Sequence, residues 1–185
     1  MNHLATSKED ILAASRDLIK ENGWAAVSIR AVASRCSVSA GTIYNYYESK
    51  ADLLSDTIES IWHEIFFHPE DEQVFHDVES CISWIYERLE YGKRQFPGFF
   101  SLHSFGFMRD EKTSGKKRMM KTWGHILNGL CEVLGNDPKV RADVFDQEFT
   151  EKKFADILFS LILVSMIRQD YDPSSVLMLV KKTLY

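Results

Sequence analysis

Hydroxyl, amide and aromatic side chains are concentrated in one short stretch of this 185-residue chain, SAGTIYNYY at positions 39–47. On a helix, Ile43 and Tyr47 lie one turn apart and face inward, so Tyr44 and Asn45 project elsewhere. Side chains of these types form hydrogen bonds with phosphate oxygens and with base edges. The chemistry that the stretch can perform is therefore recognition of a nucleic acid.

Serine residues define the elements that would position this stretch. Ser28 is a good N-cap for a helix over 29–36, one face of which is apolar. Ser37 and Ser39 favour a turn, and Ser39 can also cap the next helix, over 40–46. Two short helices joined by a turn form a helix-turn-helix, a motif that places its second helix in the DNA major groove.

Several residues around the second helix are candidates for contacts with DNA. Ser49 predicts the start of another helix at Lys50, where a cation and free backbone amides suit a phosphate oxygen. The candidates for phosphate contacts are Lys8, Arg30, Thr42, Tyr44 and Lys50. The candidates for contacts with base edges are Ser39, Ala40, Asn45 and Tyr46. Because the second helix carries no Lys or Arg, we expect recognition by shape, hydroxyl groups and water.

The order of residues in this region resembles the TetR-type (tetracycline-repressor-like) transcriptional regulators. The matching positions are Gly23-Trp24, Ser28, Val32-Ala33, Val38-Ser39, Gly41-Thr42-Ile43-Tyr44, Tyr47, Ser49-Lys50 and Leu53-Leu54. The chain departs from the family at the turn, where Ser37 replaces a common glycine. A left-handed serine costs roughly 1 kcal/mol, so we expect a slightly different turn.

The resemblance implies an all-α fold of about nine helices. A three-helix DNA-binding domain would occupy residues 1–48, and a helical effector-binding and dimerisation domain would occupy 49–185. It also implies a homodimer that binds a palindromic operator in double-stranded DNA. A small molecule would release such a repressor from the DNA.

Charge and composition are compatible with this function. The net charge is -5, but the first fifty residues are about +1, with six Lys or Arg against five Asp or Glu. Acidic residues are therefore segregated away from the motif, and we expect modest non-specific affinity for DNA. Cys36, Cys81 and Cys131 are far apart and indicate free thiols in a reducing cytosol. The start has no apolar signal segment, and the apolar run 157–167 is shorter than the ~20 residues of a membrane span, which predicts a cytoplasmic protein.

Helical periodicity continues through the rest of the chain. Thr6 and Glu9 have the spacing of a capping box for a first helix over 8–22, which Gly23 would end. One further predicted helix begins at Lys50. The others span 70–94, 99–109, 116–134 and 151–168, and a last one follows Asp172-Pro173. The helix over 151–168 is apolar nearly all round and must be covered on more than one face.

The central region is rich in aromatic and methionine residues, which suit an adaptable apolar cavity. Each could instead fill an ordinary core. The family keeps its effector site between these helices, which implies an apolar or aromatic ligand. The predicted contacts are Trp62, Phe66, Trp84, Phe99, His103, Met120 and Trp123. The cationic run Lys116–Arg118 could bind an acidic ligand group or could simply be a solvated helix start.

The last two predicted helices suggest either a self-contained core or an interface with a second copy. A two-fold dimer would suit two symmetric half-sites in DNA. The candidate interface residues are Leu158, Leu161, Ile162, Ser165, Val176, Leu179, Val180 and Thr183.

No catalytic, cofactor or metal motif is recognisable. His63, His68 and His76 lie near acidic residues, but their spacing matches no zinc or iron motif. We therefore expect a regulator with no metal, cofactor or enzymatic activity. The alternatives are an activator, a helical module that binds another protein, and an enzyme that uses the aromatic cavity.

Overall fold

A computed structural model describes residues 6–66, 75–100 and 114–185 of the chain, with side chains in the last range described from Trp123 onward. The described residues form eight α-helices and a 3-10 turn, with no strand, which confirms the all-α prediction. The helices are α1 (Lys8–Asn22), α2 (Ile29–Arg35), α3 (Ala40–Tyr44), α4 (Lys50–Phe66), α5 (Val78–Gln95), α6 (Ser114–Asn136), α7 (Glu151–Arg168) and α8 (Ser174–Leu184). The predicted helix over 99–109 lies mostly outside the described residues.

The first helix begins at Lys8, as predicted, but its N-cap lies one residue later than the predicted one. Ser7, and not Thr6, is the N-cap: its Oγ accepts a hydrogen bond from the Asp10 amide at 3.1 Å. The Asp10 carboxylate accepts one in return from the Ser7 amide at 2.8 Å, which completes a capping box. The helix ends at Gly23, as predicted, where φ is +77°.

The turn of the helix-turn-helix has the geometry that a glycine would adopt. Ser37 has a left-handed φ of 57°, so the expected change in the turn does not occur. The Ser37 amide donates to the Ser34 carbonyl at 3.1 Å, and the Val38 amide donates to the Ala33 carbonyl at 2.9 Å. These two bonds form a Schellman motif, which offsets the cost of a left-handed serine.

The N-terminal helices share one apolar core. α1 packs against α2 and α4, and α2 packs against α3. Their fully buried side chains include Ile11, Ile19, Val32, Ile43 and Leu53. α4 contributes both to this core and to the C-terminal bundle, in which it packs against α5 and α6.

The C-terminal bundle is built around α5, which contacts α4, α6 and α8. α5 comes closest to α4 at Gly92, where a Cβ atom would lie 2.7 Å from Ile65 Cδ1 and 2.8 Å from Phe100 Cζ. α6 packs in turn against α7. No described helix is long and apolar enough to cross a bilayer.

Helix boundaries in the bundle differ from the predicted ones. α5 begins at Val78, capped by Asp77, whereas the prediction began it at 70; residues 67–74 lie outside the described part. α6 begins two residues earlier than predicted, at Ser114, and continues to Asn136. Asp137 follows it and is buried: its carboxylate accepts hydrogen bonds from the Val78 amide at 3.0 Å and the Tyr185 hydroxyl at 2.5 Å.

Candidate nucleic-acid interface and ligand cavity

The second helix of the motif is held in place by its cap and by two buried side chains. Ser39 Oγ accepts from the Thr42 amide at 3.2 Å and lies 3.0 Å from the Thr42 hydroxyl. Ile43 and Tyr47 are buried, as their spacing predicted. Tyr44 is 55% exposed, and its ring therefore stands clear of the core beside the short α3 helix.

Tyr46, which the sequence placed near base edges, has a bond within its own chain. Its hydroxyl donates to the Thr6 carbonyl at 2.6 Å, and the side chain is only partly exposed. This bond fastens the residue before the α1 cap to the end of the motif. Asn45 and Ala40 remain on the accessible side, with Asn45 exposed.

Most cations of the N-terminal region are neutralised by nearby carboxylates. Lys8 lies 2.6 Å from Asp56, and Arg35 pairs with Glu21. Arg16 and Lys20 bind the same carboxylate, that of Glu64, at 3.0 and 2.6 Å, and Arg16 also lies 2.8 Å from Glu9.

Arg30 and Lys50 differ from these cations. Both are exposed, and neither forms an ion pair within the described part of the chain. Arg30 lies in the first turn of α2, and Lys50 is the first residue of α4. Among the cations of the N-terminal region, these two therefore carry charge without a carboxylate partner in the described residues. One lies at the start of the motif and the other just after it.

The ion pairs between α1 and α4 also fix how these helices lie together. Lys8 and Arg16 are eight residues apart on α1, and their partners Asp56 and Glu64 are eight residues apart on α4. The two helices therefore run in the same direction with a fixed register. Arg88 of α5 donates to the Glu64 carbonyl at 3.1 Å, which attaches the end of α4 to the bundle.

A cavity of about 730 Å³ lies between α4, α5 and α6. This volume is in the range of small-molecule sites. Its apolar wall is formed by Phe66, Trp84, Ile85, Ile126, Leu130 and Val133. Its exposed polar rim is formed by His76, His125, Glu132 and Asn136.

Two of the predicted ligand contacts, Phe66 and Trp84, line this cavity. Trp62 and Phe99 are instead buried among other aromatic rings, and Trp123 packs against Phe159 with centroids 5.7 Å apart. His103 and the side chain of Met120 lie outside the described residues.

Sequence reasoning missed the α6 side of the cavity. His125, Gly129 and Glu132 lie on one stripe of α6, whereas the contacts predicted on this helix were Met120 and Trp123, nearer its start. The spacing of Ile126, Gly129 and Val133 gave a weak signal for a second apolar face.

Cys81 lines the cavity, but its thiol is unreactive. It is 4% exposed, and burial raises the pKa of its thiol to about 12. Because the thiolate is the nucleophile, this cysteine stays protonated and unreactive near neutral pH.

Aromatic rings connect the cavity wall to the N-terminal helices. Trp24, in the 3-10 turn before α2, packs edge-on against Phe99, and Trp84 lies at the cavity. The centroid separations along this ring chain are Trp24–Phe99 6.0 Å, Phe99–Trp62 5.5 Å, Trp62–Phe66 5.6 Å and Phe66–Trp84 5.9 Å. All are within the range of favourable ring contacts.

The predicted dimer residues divide into two sets. Leu158, Ile162, Val176 and Val180 are buried in the core of their own chain. Leu161, Ser165, Leu179 and Thr183 are at least partly exposed, although the Ser165 hydroxyl lies 2.8 Å from that of Tyr86.

Comparison with known proteins agrees with the geometry of the N-terminal helices. The family model for bacterial regulatory proteins of the tetR family matches residues 11–57, which contain the motif and the first half of α4. The N-terminal helices of this chain are thus similar to the DNA-binding region of the tetR family. The HTH-type transcriptional regulator UidR of Escherichia coli K12 is 38% identical over 48 residues, which are 26% of this chain and 24% of UidR. The match thus spans about a quarter of this curated relative's length.

Solved structures resemble this chain over nearly its whole length. A TetR transcription regulator of Haloarcula marismortui superposes with a TM-score of 0.70 at 17% identity, covering 96% of this chain and 97% of the other. The regulator FadR of Bacillus subtilis, in complex with stearoyl-CoA, gives 0.60 at 15% identity, covering 95% and 94%. At these identities the likeness shows a shared fold.

Proposed function

We propose that this protein is a dimeric, ligand-responsive transcriptional regulator, most simply a repressor that binds a palindromic operator through α3. The observation that carries the proposal is that Tyr44, at the end of α3, is exposed, and that Arg30 in the first turn of α2 and Lys50 at the start of α4 are exposed cations without ion pairs among the described residues. Elsewhere in the N-terminal region, cations are neutralised by carboxylates.

The DNA contacts divide into two kinds. Arg30, Lys50 and the Tyr44 hydroxyl, with the help of Thr42, bind phosphates and fix the orientation of α3. Ser39, Ala40 and Asn45 lie closest to the base edges. Lys8 and Tyr46 act indirectly, because the Asp56 carboxylate and the Thr6 carbonyl already occupy their polar groups.

A dimer is supported by the exposed apolar side chains. Within the described part of the chain six large apolar residues are exposed, and apart from Tyr44 they all lie on α7 and α8. These five are Ile157, Val164, Ile167, Met178 and Leu179. On α7 they follow one helical stripe that includes Leu161, which is the face available to a second copy.

An effector binds in the cavity between α4, α5 and α6. Its apolar wall and polar rim suit an apolar or aromatic molecule with one or a few polar groups. FadR, which shares the fold, binds stearoyl-CoA. Ligand binding tilts α4 and, through the ion pairs with α1, changes the separation of the two α3 helices. Coupling of ~1 to 3 kcal/mol changes DNA affinity about five- to 150-fold.

Footprinting on the DNA that flanks the gene tests the proposal. We expect a protected palindrome, and we expect Lys50→Ala and Tyr44→Phe to weaken protection while thermal unfolding is unchanged. A reporter gene behind the protected sequence then separates a repressor from an activator. Absence of protection at low ionic strength would favour a helical module that binds a protein.

A further inference from the structure

We propose that Trp62 and Phe99, which do not line the cavity, are positioning residues that transmit its occupancy to the DNA-binding helices through the ring chain. This inference deepens the proposed function and depends on it for its biological meaning. Its physical content is a mechanical connection between two parts of one chain, which can be tested without DNA or a natural ligand.

The ring chain has one end in the cavity and the other in the N-terminal region. Phe66 and Trp84 line the cavity, so a ligand that fills it must press on one or both rings. Trp62 stacks on Phe66 with centroids 5.6 Å apart and planes 20° apart. A shift of Phe66 therefore cannot occur without a shift of Trp62, because close-packed interiors transmit strain.

The connection continues out of the bundle through Phe99. Phe99 is 1% exposed and lies edge-on to both Trp62 and Trp24, with interplanar angles of 62° and 81°. Trp24 belongs to the 3-10 turn that immediately precedes α2, whose N-cap is Ser28. Movement of Phe99 thus acts directly on the start of the helix-turn-helix.

A polar contact lies alongside the ring chain. Lys20 of α1 binds Glu64 and also lies 5.0 Å above the ring of Phe96. Phe96 is itself 6.2 Å from Phe99. The end of α1 and the 3-10 turn therefore both pack against the aromatic segment that follows α5.

Trp62 also has a reason to adopt a second arrangement. Its indole Nε1 is buried and meets no hydrogen-bond acceptor among the residues that the structure describes. A buried donor without an acceptor is costly, so any packing of Trp62 that supplied an acceptor would be favoured over the observed one by this term. Two competing packings are what a switch requires.

Gly129 offers a way to fill the cavity without a ligand. It lines the cavity, and a Cβ atom built on it meets nothing within 4 Å. Gly129→Trp therefore places a bulky side chain in the space that an effector would occupy. Gly124 is the matched control: it lies on the same helix with equally open surroundings but does not line the cavity.

The experiment measures hydrogen exchange in the full chain, over peptides that cover residues 24–36. Gly129→Trp is expected to change exchange there by about fivefold or more, the lower end of ordinary coupling. Gly124→Trp is expected to leave it unchanged. Adding Phe99→Leu, or Trp24→Leu at the less buried end of the ring chain, is expected to abolish most of the Gly129→Trp effect.

A control separates transmission from general loosening of the core. Phe149→Leu removes a ring from a separate cluster, in which Phe149 lies 5.9 Å from Phe145 and 5.7 Å from Phe154. In that background the Gly129→Trp effect is expected to persist.

The outcomes are distinct. If Gly129→Trp behaves like Gly124→Trp, or if its effect survives both Phe99→Leu and Trp24→Leu, the ring chain is not the route and the inference is wrong. If the exchange effect follows the ring chain but the protein protects no DNA flanking its gene, the inference stands and the proposed function fails.

Discussion

At the scale of single residues, charge compensation distinguishes the cations that are available to DNA. Arg30 and Lys50 are exposed and have no carboxylate partner in the described residues, whereas Arg35 is bound by Glu21 and lies 3.9 Å from Asp17. A cation that is already paired with a carboxylate is less able to neutralise a DNA phosphate. It therefore displaces fewer of the counterions that are condensed on the DNA. Binding should therefore depend on Arg30 and Lys50 far more than on Arg35.

We predict that Arg30→Ala and Lys50→Ala each reduce the slope of log affinity against log salt by about 2 per dimer, since each phosphate contact contributes roughly 0.9. Affinity should fall uniformly for all sequences, because phosphate contacts carry no sequence information. Fluorescence anisotropy with a labelled duplex at four salt concentrations measures the slope.

Arg35→Ala is the matched control for this experiment and should change the slope by less than half as much. Equal slopes for the three variants would contradict the assignment of phosphate contacts.

The three neighbouring tyrosines show how far sequence reasoning reaches at this scale. The helical period correctly placed Tyr47 inside and Tyr44 outside. It could not place Tyr46, because the Thr6 carbonyl that binds its hydroxyl comes from forty residues earlier in the chain. Local spacing determines the direction of a side chain but not its long-range partner.

At the scale of elements, the turn between α2 and α3 stores a small amount of strain. Ser37 adopts a left-handed conformation with φ 57°, which glycine would adopt without steric cost. We predict that Ser37→Gly increases the free energy of unfolding by up to about 1 kcal/mol and leaves the fold unchanged. Urea denaturation followed by circular dichroism measures the change.

Ser34→Gly, in the same motif, is expected to lower the free energy of unfolding, in contrast to Ser37→Gly. Ser34 is exposed within α2, where glycine costs roughly 0.5–1 kcal/mol relative to a normal helix residue. Destabilisation by both glycines would show that the turn is not left-handed.

The N-cap of α5 links stability to pH. Asp77 accepts from the Ser80 amide at 2.7 Å and binds Lys139 Nζ at 2.7 Å. The Lys139 bond, followed by the Ser80 bonds, lowers the pKa of Asp77 from 3.8 to about 2. Because its pKa is lowered in the folded state, the ionised Asp77 carboxylate stabilises the fold at pH values above the ordinary carboxyl pKa. This stabilisation is lost as the pH falls from about 4 towards 2.

We predict that Asp77→Ala lowers the free energy of unfolding by about 1 kcal/mol near pH 7, as loss of an N-cap does. The difference from the wild type should narrow between about pH 4 and pH 2, which chemical denaturation at several pH values will measure. Asp143→Ala, at a side chain 84% exposed, should have little effect at any pH. A difference that is constant from pH 5 to pH 2 would rule out the Asp77 carboxylate as its source.

Caps were the most predictable elements because they depend on residues three positions apart. Ser28 and Ser39 cap α2 and α3 as predicted. The first cap was misplaced by one residue, because Thr6 and Ser7 are both suitable and each has an acidic residue at the required spacing. Only the packing of Thr6 in the core decides between them.

At the scale of the whole molecule, the exposed apolar stripe on α7 and α8 is the feature that a monomer does not explain. We predict that Val164→Glu, at a residue 44% exposed, disrupts the proposed dimer and gives a monomer at micromolar concentration. The change acts twice across a two-fold interface, and at about 1.5 kcal/mol or more for each lost valine the dissociation constant rises at least ~100-fold. Sedimentation velocity over a range of concentrations measures this.

Lys152→Glu changes charge on an exposed part of α7 away from the stripe, so it should leave the dimer intact. A Val164→Glu protein that still sediments as a dimer would move the interface elsewhere.

The sequence could indicate that α7 must be covered on more than one face. It could not indicate which apolar residues of α7 remain exposed. Leu158 and Ile162 were as suitable as Ile157 and Val164 by type, and only the packing of α7 in the bundle, chiefly against α6, decides which pair is buried. The α6 wall of the cavity and the ring chain were beyond prediction for the same reason, since both depend on contacts between residues from separate segments.

The close approach of α5 to α4 sets a limit on natural variation in this protein. At position 92 any side chain would meet Ile65 and Phe100 below 3 Å, whereas Gly124 and Gly135 have nothing within 4 Å. In a library of random variants that survive selection for folding, position 92 would remain glycine while the other two accept alanine. The contact between α4 and α5 would thus diverge more slowly than the surfaces on either side of it.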